Sequence, residues 1–228
     1  MAKTELQRLL SKLSIASRRD ATRLILAGQV KINGRICRVP QEYIDTESKI
    51  EVTGVEVSSV QKHYLIFNKP KGLVVTRSDE KGRATVYEHL KNWNGPLLQA
   101  VGRLDMASEG LLLFTNDHVW ANQFMDPQNH IKKIYHVQVS SHPTPDALKK
   151  LSEGIMLDGK KTMTAEFKVL RSGEKNCWLS IELQEGRNRQ IRKMLETEKI
   201  KVLRLIRVQI GDIKLGDLPK GQWRVISK

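Results

Sequence analysis

The amino-acid sequence predicts an α+β fold: a small helix-rich unit at the N-terminus, followed by a larger domain built on a mixed, mainly antiparallel sheet. Three observations lead there. Candidate strands outnumber candidate helices beyond residue 62 and do not alternate regularly with them, which argues against a doubly wound parallel sheet. The first 58 residues open with helical periodicity and close in short strands, and residues 53–62 are polar or small with no pattern, as in a linker. The charge follows the same division. Residues 1–38 carry nine basic and two acidic side chains, and residues 39–62 carry two basic and five acidic ones.

Each element has a local reason. Leu6, Leu9, Leu10 and Leu13 recur at the spacing of a half-buried helix. Ser17 is placed as an N-cap, with Asp20 three residues on as in a capping box, and Ala21, Leu24 and Ile25 form the apolar face of a second helix. Gly28 suits its end. Val30 to Ile36 alternates around Asn33-Gly34, the signature of a tight hairpin, and Lys49 to Val52 is a further strand. In the larger domain, Tyr64 to Phe67 is a buried-strand run, broken by Pro70 and Gly72 and resumed at Leu73 to Thr76. Leu111 to Thr115, Tyr135 to Val139, Phe167 to Leu170, Trp178 to Leu183 and Val202 to Val208 are strands. Pro145 to Glu153 and Asn188 to Glu196 are helices, the first with Thr144 as its cap.

The formal net charge of +14 attracts polyanions, nucleic acid first and an anionic membrane surface second. It is concentrated: residues 187–207 carry eight basic and two acidic side chains, and residues 1–38 are the other cluster. Neutralising several neighbouring phosphates requires such clustering. Arg18, Arg19 and Arg23 fall off the apolar face of the second helix, and Lys31 points away from Val30 and Ile32. The apolar runs are too short to span a membrane, and the N-terminus lacks the apolar core of a secretion signal. Cys37 and Cys177 show no pairing or metal-ligand spacing, so a reduced, cytoplasmic setting is expected. The six histidines are scattered, and no glycine-rich phosphate loop exists.

Two segments could carry chemistry. Gly102-Arg103-Leu104-Asp105-Met106-Ala107-Ser108-Glu109-Gly110 sets a cation, a carboxylate and a hydroxyl in a loop before a strand. An aspartate there serves equally well as a turn or capping residue. Glu185 to Met194 ends a strand at Gly186 and starts a basic helix, whose N-terminal donors attract anions. Arg192 flanks that helix's apolar face. A half-desolvated guanidinium there calls for a carboxylate, while a plain surface arginine is the alternative. Tyr135, at a strand start, can stack on a base or serve as a cross-strand aromatic.

Taken in order, these segments resemble the RsuA-type family of bacterial ribosomal RNA pseudouridine synthases over nearly the whole chain. Leu6 to Val52 is similar to the small RNA-binding domain first known from a ribosomal small-subunit protein. Asn68-Lys69-Pro70-Lys71-Gly72, Gly102-Arg103-Leu104-Asp105, Lys133-Ile134-Tyr135, Glu185 to Arg192, and Leu205-Ile206-Arg207 with Gly211 follow the family's motifs in sequence. The resemblance implies an RNA-binding domain over residues 1–58 and a catalytic domain with an active-site cleft over residues 63–228. It implies Asp105 as the nucleophile, Arg192 as its ion-pair partner and Tyr135 against the uracil. Arg18, Arg19, Lys31, Lys69, Arg103, Arg187, Asn188, Arg189 and Gln190 are the implied RNA-binding residues. Neither metal nor organic cofactor is implied, and the expected enzyme is a monomer acting on ribosomal RNA. Asn188-Arg189 before Gln190 favours large-subunit over small-subunit RNA. A non-catalytic ribosomal-RNA-binding or assembly factor of the same fold is the alternative; it need not keep Asp105, Tyr135 and Arg192 together.

Overall fold

A computed structural model describes residues 3–56 and 61–227. The chain forms two compact units. One is Met1–Tyr64 with the short returns Asn94–Gln99 and Thr115–His118; the other is Leu65–Trp93, Ala100–Phe114 and Val119–Lys228. No helix among the described residues is long and apolar enough to cross a membrane.

The smaller unit holds β1 (Lys3–Glu5), α1 (Leu6–Lys12), α2 (Arg18–Leu26), β2 (Val30–Ile32), β3 (Arg35–Cys37), β4 (Tyr43–Asp45), β5 (Ile50–Val52) and β6 (Val55–Glu56). The leucine repeat of α1 does what its spacing requires: Leu6, Leu9 and Leu10 are buried against Ala21 and Ile25 of α2 and Val30, Ile50 and Val52 of the sheet. The Ser17 hydroxyl accepts the Asp20 amide at 3.2 Å and caps α2. Asn33 and Gly34, both at positive φ, close the β2–β3 hairpin. The expected linker begins later than residue 53, because Thr53 and Gly54 turn β5 into β6. The stretch 57–60 of that linker lies outside the described residues.

The larger unit is built on β7 (Tyr64–Lys69), β8 (Gln99–Val101), β9 (Glu109–Thr115), α3 (His118–Met125), β10 (Lys133–Val139), α4 (Pro145–Ser152), β11 (Met156–Leu157), β12 (Lys160–Lys161), β13 (Glu166–Ser172), β14 (Cys177–Leu183), α5 (Gln190–Thr197), β15 (Val202–Ile210), β16 (Ile213–Lys214) and β17 (Trp223–Val225). Its main sheet runs β13-β14-β10-β15-β9-β7-β17, with β8 and β16 added at its margins. The pairings of β10 with β14 and β15 are antiparallel, whereas β15 meets β9 in parallel. β7 and β9 are buried along their whole length, which is why both read as unbroken apolar runs.

Two sequence expectations change, and one helix was not foreseen. Leu73 to Thr76 does not resume a strand; Val74 makes only an isolated bridge to Thr85. Gly72, at φ +99°, turns the chain so that its amide reaches the Met106 carbonyl, and the line of β7 is lost. α5 starts at Gln190 instead of Asn188, because Arg189 sits in the left-handed region at φ +50°. The helix α3, with only Trp120 and Ala121 buried, had too weak a periodic face to be read from the sequence.

Candidate active site

The parallel contact between β9 and β15 organises the site. Gly110 faces Arg207 there, and a Cβ on Gly110 would lie 2.3 Å from the Arg207 carbonyl oxygen. Only glycine permits that approach, and its φ of +98° is likewise one that other residues seldom adopt. The loop 102–108 therefore leaves the sheet at a defined point, and Asp105 is carried on it.

The loop is tethered from below. The Ser108 amide donates to the Asp105 carbonyl at 2.9 Å, closing a turn. Lys69, at the end of β7, is fully buried. Its Nζ donates to the carbonyl oxygens of Pro70, Asp105 and Ser108 at 3.1, 3.2 and 2.9 Å. Burial pushes its ammonium down to about 8, against the opposing pull of Asp105 and Glu109 and with the Arg207 charge lowering it further. Lys69, expected among the RNA-binding residues, is turned inward, and all three donors of its ammonium have backbone carbonyl partners.

A cleft of about 800 Å³ opens above this loop. It gathers Arg103, Asp105, Tyr135, Arg187, Asn188, Arg189, Gln190 and Arg192, together with Lys133 and Arg207. Arg18, Arg19 and Lys31 belong to the other unit; Arg18 and Arg19 are exposed there and Lys31 half-buried.

The cations around Asp105 divide differently from the expectation. The nearest ion-pair contact to its carboxylate comes from Arg189 Nη1 at 3.9 Å, with both side chains partly exposed. Arg192 makes no direct pair with Asp105. Its Nη2 donates to the Ala107 carbonyl at 3.0 Å and its Nη1 reaches the Val202 carbonyl at 3.5 Å, while Nε is buried without a partner. It braces the far side of the same turn. Burial lowers the Arg192 guanidinium, the neighbouring Arg189 charge adds to this, and Asp105 opposes it.

Two other predicted contacts are occupied by the protein itself. Arg187 Nε donates to Glu185 at 3.0 Å, and its two terminal nitrogens bond the carbonyls of Lys160 and Lys161. Gln190 is buried, donates to Glu185 and accepts the Arg187 amide at 3.1 Å. Both shape the wall instead of offering free donors. Asn188 and Arg189 stay exposed at the rim, as does Arg103. Tyr135 is buried at the cleft end of β10, beside a bulge between Ile134 and Tyr135.

Lys133 and Arg207 stood in the sequence reading only as members of the motifs Lys133-Ile134-Tyr135 and Leu205-Ile206-Arg207, with no role assigned to either. Lys133 donates to the Ile131 carbonyl, and burial lowers its ammonium, with Arg207 adding to the effect. Arg207 carried one legible signal: in the alternation of β15 it shares the inward parity of Leu205. A charge at an inward strand position is a departure from pattern. Among the described residues, no group of histidine, cysteine and carboxylate side chains is arranged to hold a metal.

Comparison with known proteins follows the same division of the chain. The family model for RNA pseudouridylate synthase matches residues 63–197, and that for the S4 domain matches residues 6–47. An uncharacterized RNA pseudouridine synthase of Rickettsia bellii is 42% identical, covering 98% of this chain and 96% of its own length. Ribosomal large subunit pseudouridine synthase B of Bacillus subtilis is 36% identical, covering 97% of this chain and 91% of its own. A crystal structure of a pseudouridylate synthase superposes with a TM-score of 0.70 at 28% identity, covering 98% of this chain and 96% of the other. With its S4 domain and its catalytic domain both matched, the chain belongs to the RsuA-type family of RNA pseudouridine synthases.

Proposed function

We propose that Asp105 is the nucleophile, and that this enzyme converts a uridine of large-subunit ribosomal RNA to pseudouridine. The observation that carries the reading is the pairing of a tethered, half-exposed carboxylate with a buried aromatic in one basic cleft. Lys69 and Arg192 hold the backbone of the Asp105 turn from two sides, so the carboxylate is aimed without being neutralised by a tight pair. Such preorganisation is what a carboxylate nucleophile requires.

The target base is flipped into the cleft to be reached, and Tyr135 packs against it. The bond from uracil N1 to the ribose breaks while Asp105 holds the detached piece. The base turns, its carbon 5 joins the ribose, a proton leaves carbon 5 and N1 gains one. The change is an isomerisation with no net oxidation. Arg103, Asn188 and Arg189 at the rim take the flanking phosphates, with Arg189 Nη1 standing 3.9 Å from the Asp105 carboxylate. Arg18, Arg19 and Lys31 engage RNA from a domain over residues 1–58, and the catalytic domain spans residues 63–228. The large-subunit reading is supported by the names of the relatives from Bacillus subtilis and Haemophilus influenzae.

Pseudouridine mapping of ribosomal RNA from cells with and without this protein tests the reading. One large-subunit uridine is expected to lose its modification, and restoring Asp105→Asn is expected to leave it unmodified while RNA binding persists. Modification restored by Asp105→Asn would overturn the nucleophile.

A further inference from the structure

Arg207 is only 4% exposed, yet it lines the cleft that holds Asp105. Its Nε donates to the Leu111 carbonyl at 2.8 Å, and its Nη2 is buried without any hydrogen-bond partner. The buried carboxylate on the neighbouring strand, Glu109, is already held by Arg204 and Lys220. Two further cations of this unit, the buried Lys69 and the half-buried Lys133, donate to backbone carbonyls. Arg207 is therefore a permanently charged group with a spare donor, and buried charges are ordinarily paired. An orphaned donor at a binding cleft is accounted for when the ligand completes it.

Position narrows the ligand. Arg207 faces Tyr135 directly across the β10–β15 pairing. On its other side the close approach of Gly110 holds its backbone. We propose that Arg207 is a substrate-contacting residue, and that its Nη2 donates a hydrogen bond to a carbonyl oxygen of the target uracil. This rests on Asp105 being the reacting carboxylate. A base carbonyl fits better than a phosphate, because the position is closed to bulk water and its cross-strand neighbour is the ring that packs on the base. Exposed cations for phosphate are available at the rim. When the bond from N1 to the ribose breaks, its electron pair enters the uracil ring and spreads onto the carbonyl oxygens. A fixed guanidinium there holds more charge in the transition state than in the ground state. The pair returns to the new bond from carbon 5, so no oxidant or reductant is needed.

The test uses the full chain and a large-subunit RNA fragment carrying the mapped uridine, in single turnover. That uridine is replaced by 2-thiouridine or by 4-thiouridine, since sulfur is a poor acceptor. One of the two replacements is expected to slow the wild type on the order of 10- to 100-fold, the size of a hydrogen bond to a charged group. Arg207→Met is expected to lose a similar factor on uridine and to treat uridine and that thiouridine alike, with Arg207→Lys between. If neither thiouridine slows the wild type, or if the preference persists unchanged in Arg207→Met, the proposal is overturned. An Arg207→Met defect confined to RNA affinity, with a shallower salt dependence, overturns it in favour of a phosphate contact. Should Arg207→Met fail to fold, the comparison of wild type with Arg207→Lys decides: an identical thiouridine preference in both counts against the contact. Turnover retained by Asp105→Asn on the unmodified fragment would instead overturn the reading of the nucleophile.

Discussion

At the scale of single residues, the half-exposed Asp105 is held by a group buried beneath it, Lys69. Lys69 folds with its ammonium at about 8, below the ordinary 10.5. The sign follows from linkage. Between those two values the unfolded chain binds a proton that the folded chain has released, so folding gains stability as pH rises through that window. Below about 8 the full cost of burying the charge is present, on the order of 3 kcal/mol. Lys69→Met is expected to flatten the rise in stability between pH 8 and 10.5, read by urea denaturation at several pH values. Its activity is expected to fall at neutral pH, because the Asp105 turn loses its tether; a variant as active as wild type would refute that role. Arg189 separates function from stability in the opposite way. Its φ of +50° costs an L-residue roughly 1 kcal/mol. Arg189→Gly is therefore expected to be as stable as wild type or up to about 1 kcal/mol more so, yet slower on RNA, as thermal melts and turnover assays would register.

At the scale of elements, the β9–β15 contact decides where the catalytic loop leaves the sheet. Gly110→Ala forces a methyl onto the Arg207 backbone and is expected to cost several kcal/mol, within the range of strongly destabilising changes. Gly72→Ala meets nothing within 4 Å although its φ is also positive, so a loss of only about 1 kcal/mol is expected. Equal losses in urea melts would show that conformation alone, not the close approach, sets the cost. Elements with one dominant local signal were legible beforehand. α2 had its Ser17 cap and apolar face, β2–β3 its Asn-Gly turn, and β7 and β9 their unbroken apolar runs. The missing strand at Leu73 to Thr76 shows the limit. Its residues suit a strand, but Gly72 turns the chain, and the strand pairing there is limited to the isolated Val74–Thr85 bridge.

At the scale of the whole molecule, charge is distributed between two places, the first 38 residues and the segment 187–207. If Arg18, Arg19 and Lys31 bind phosphate, replacing all three by glutamine should make the slope of log affinity against log salt shallower by roughly 2. The catalytic rate at saturating RNA should hold. An unchanged slope in a filter-binding titration would remove these residues from the interface. The family and the α+β class were readable in the linear sequence, because motif order and hydrophobic period can be read without the fold; Asp105, Tyr135 and Arg192 were named together only through the family resemblance, and all three line one cleft. The partner of each charge was not. The tertiary structure turned Lys69 and Arg187 inward onto carbonyls, gave Asp105 to Arg189 instead of Arg192, and left Arg207 with an open donor. Those assignments depend on which strands meet, and a side chain's partner is set by the desolvation and geometry of the folded neighbourhood, which no residue carries alone.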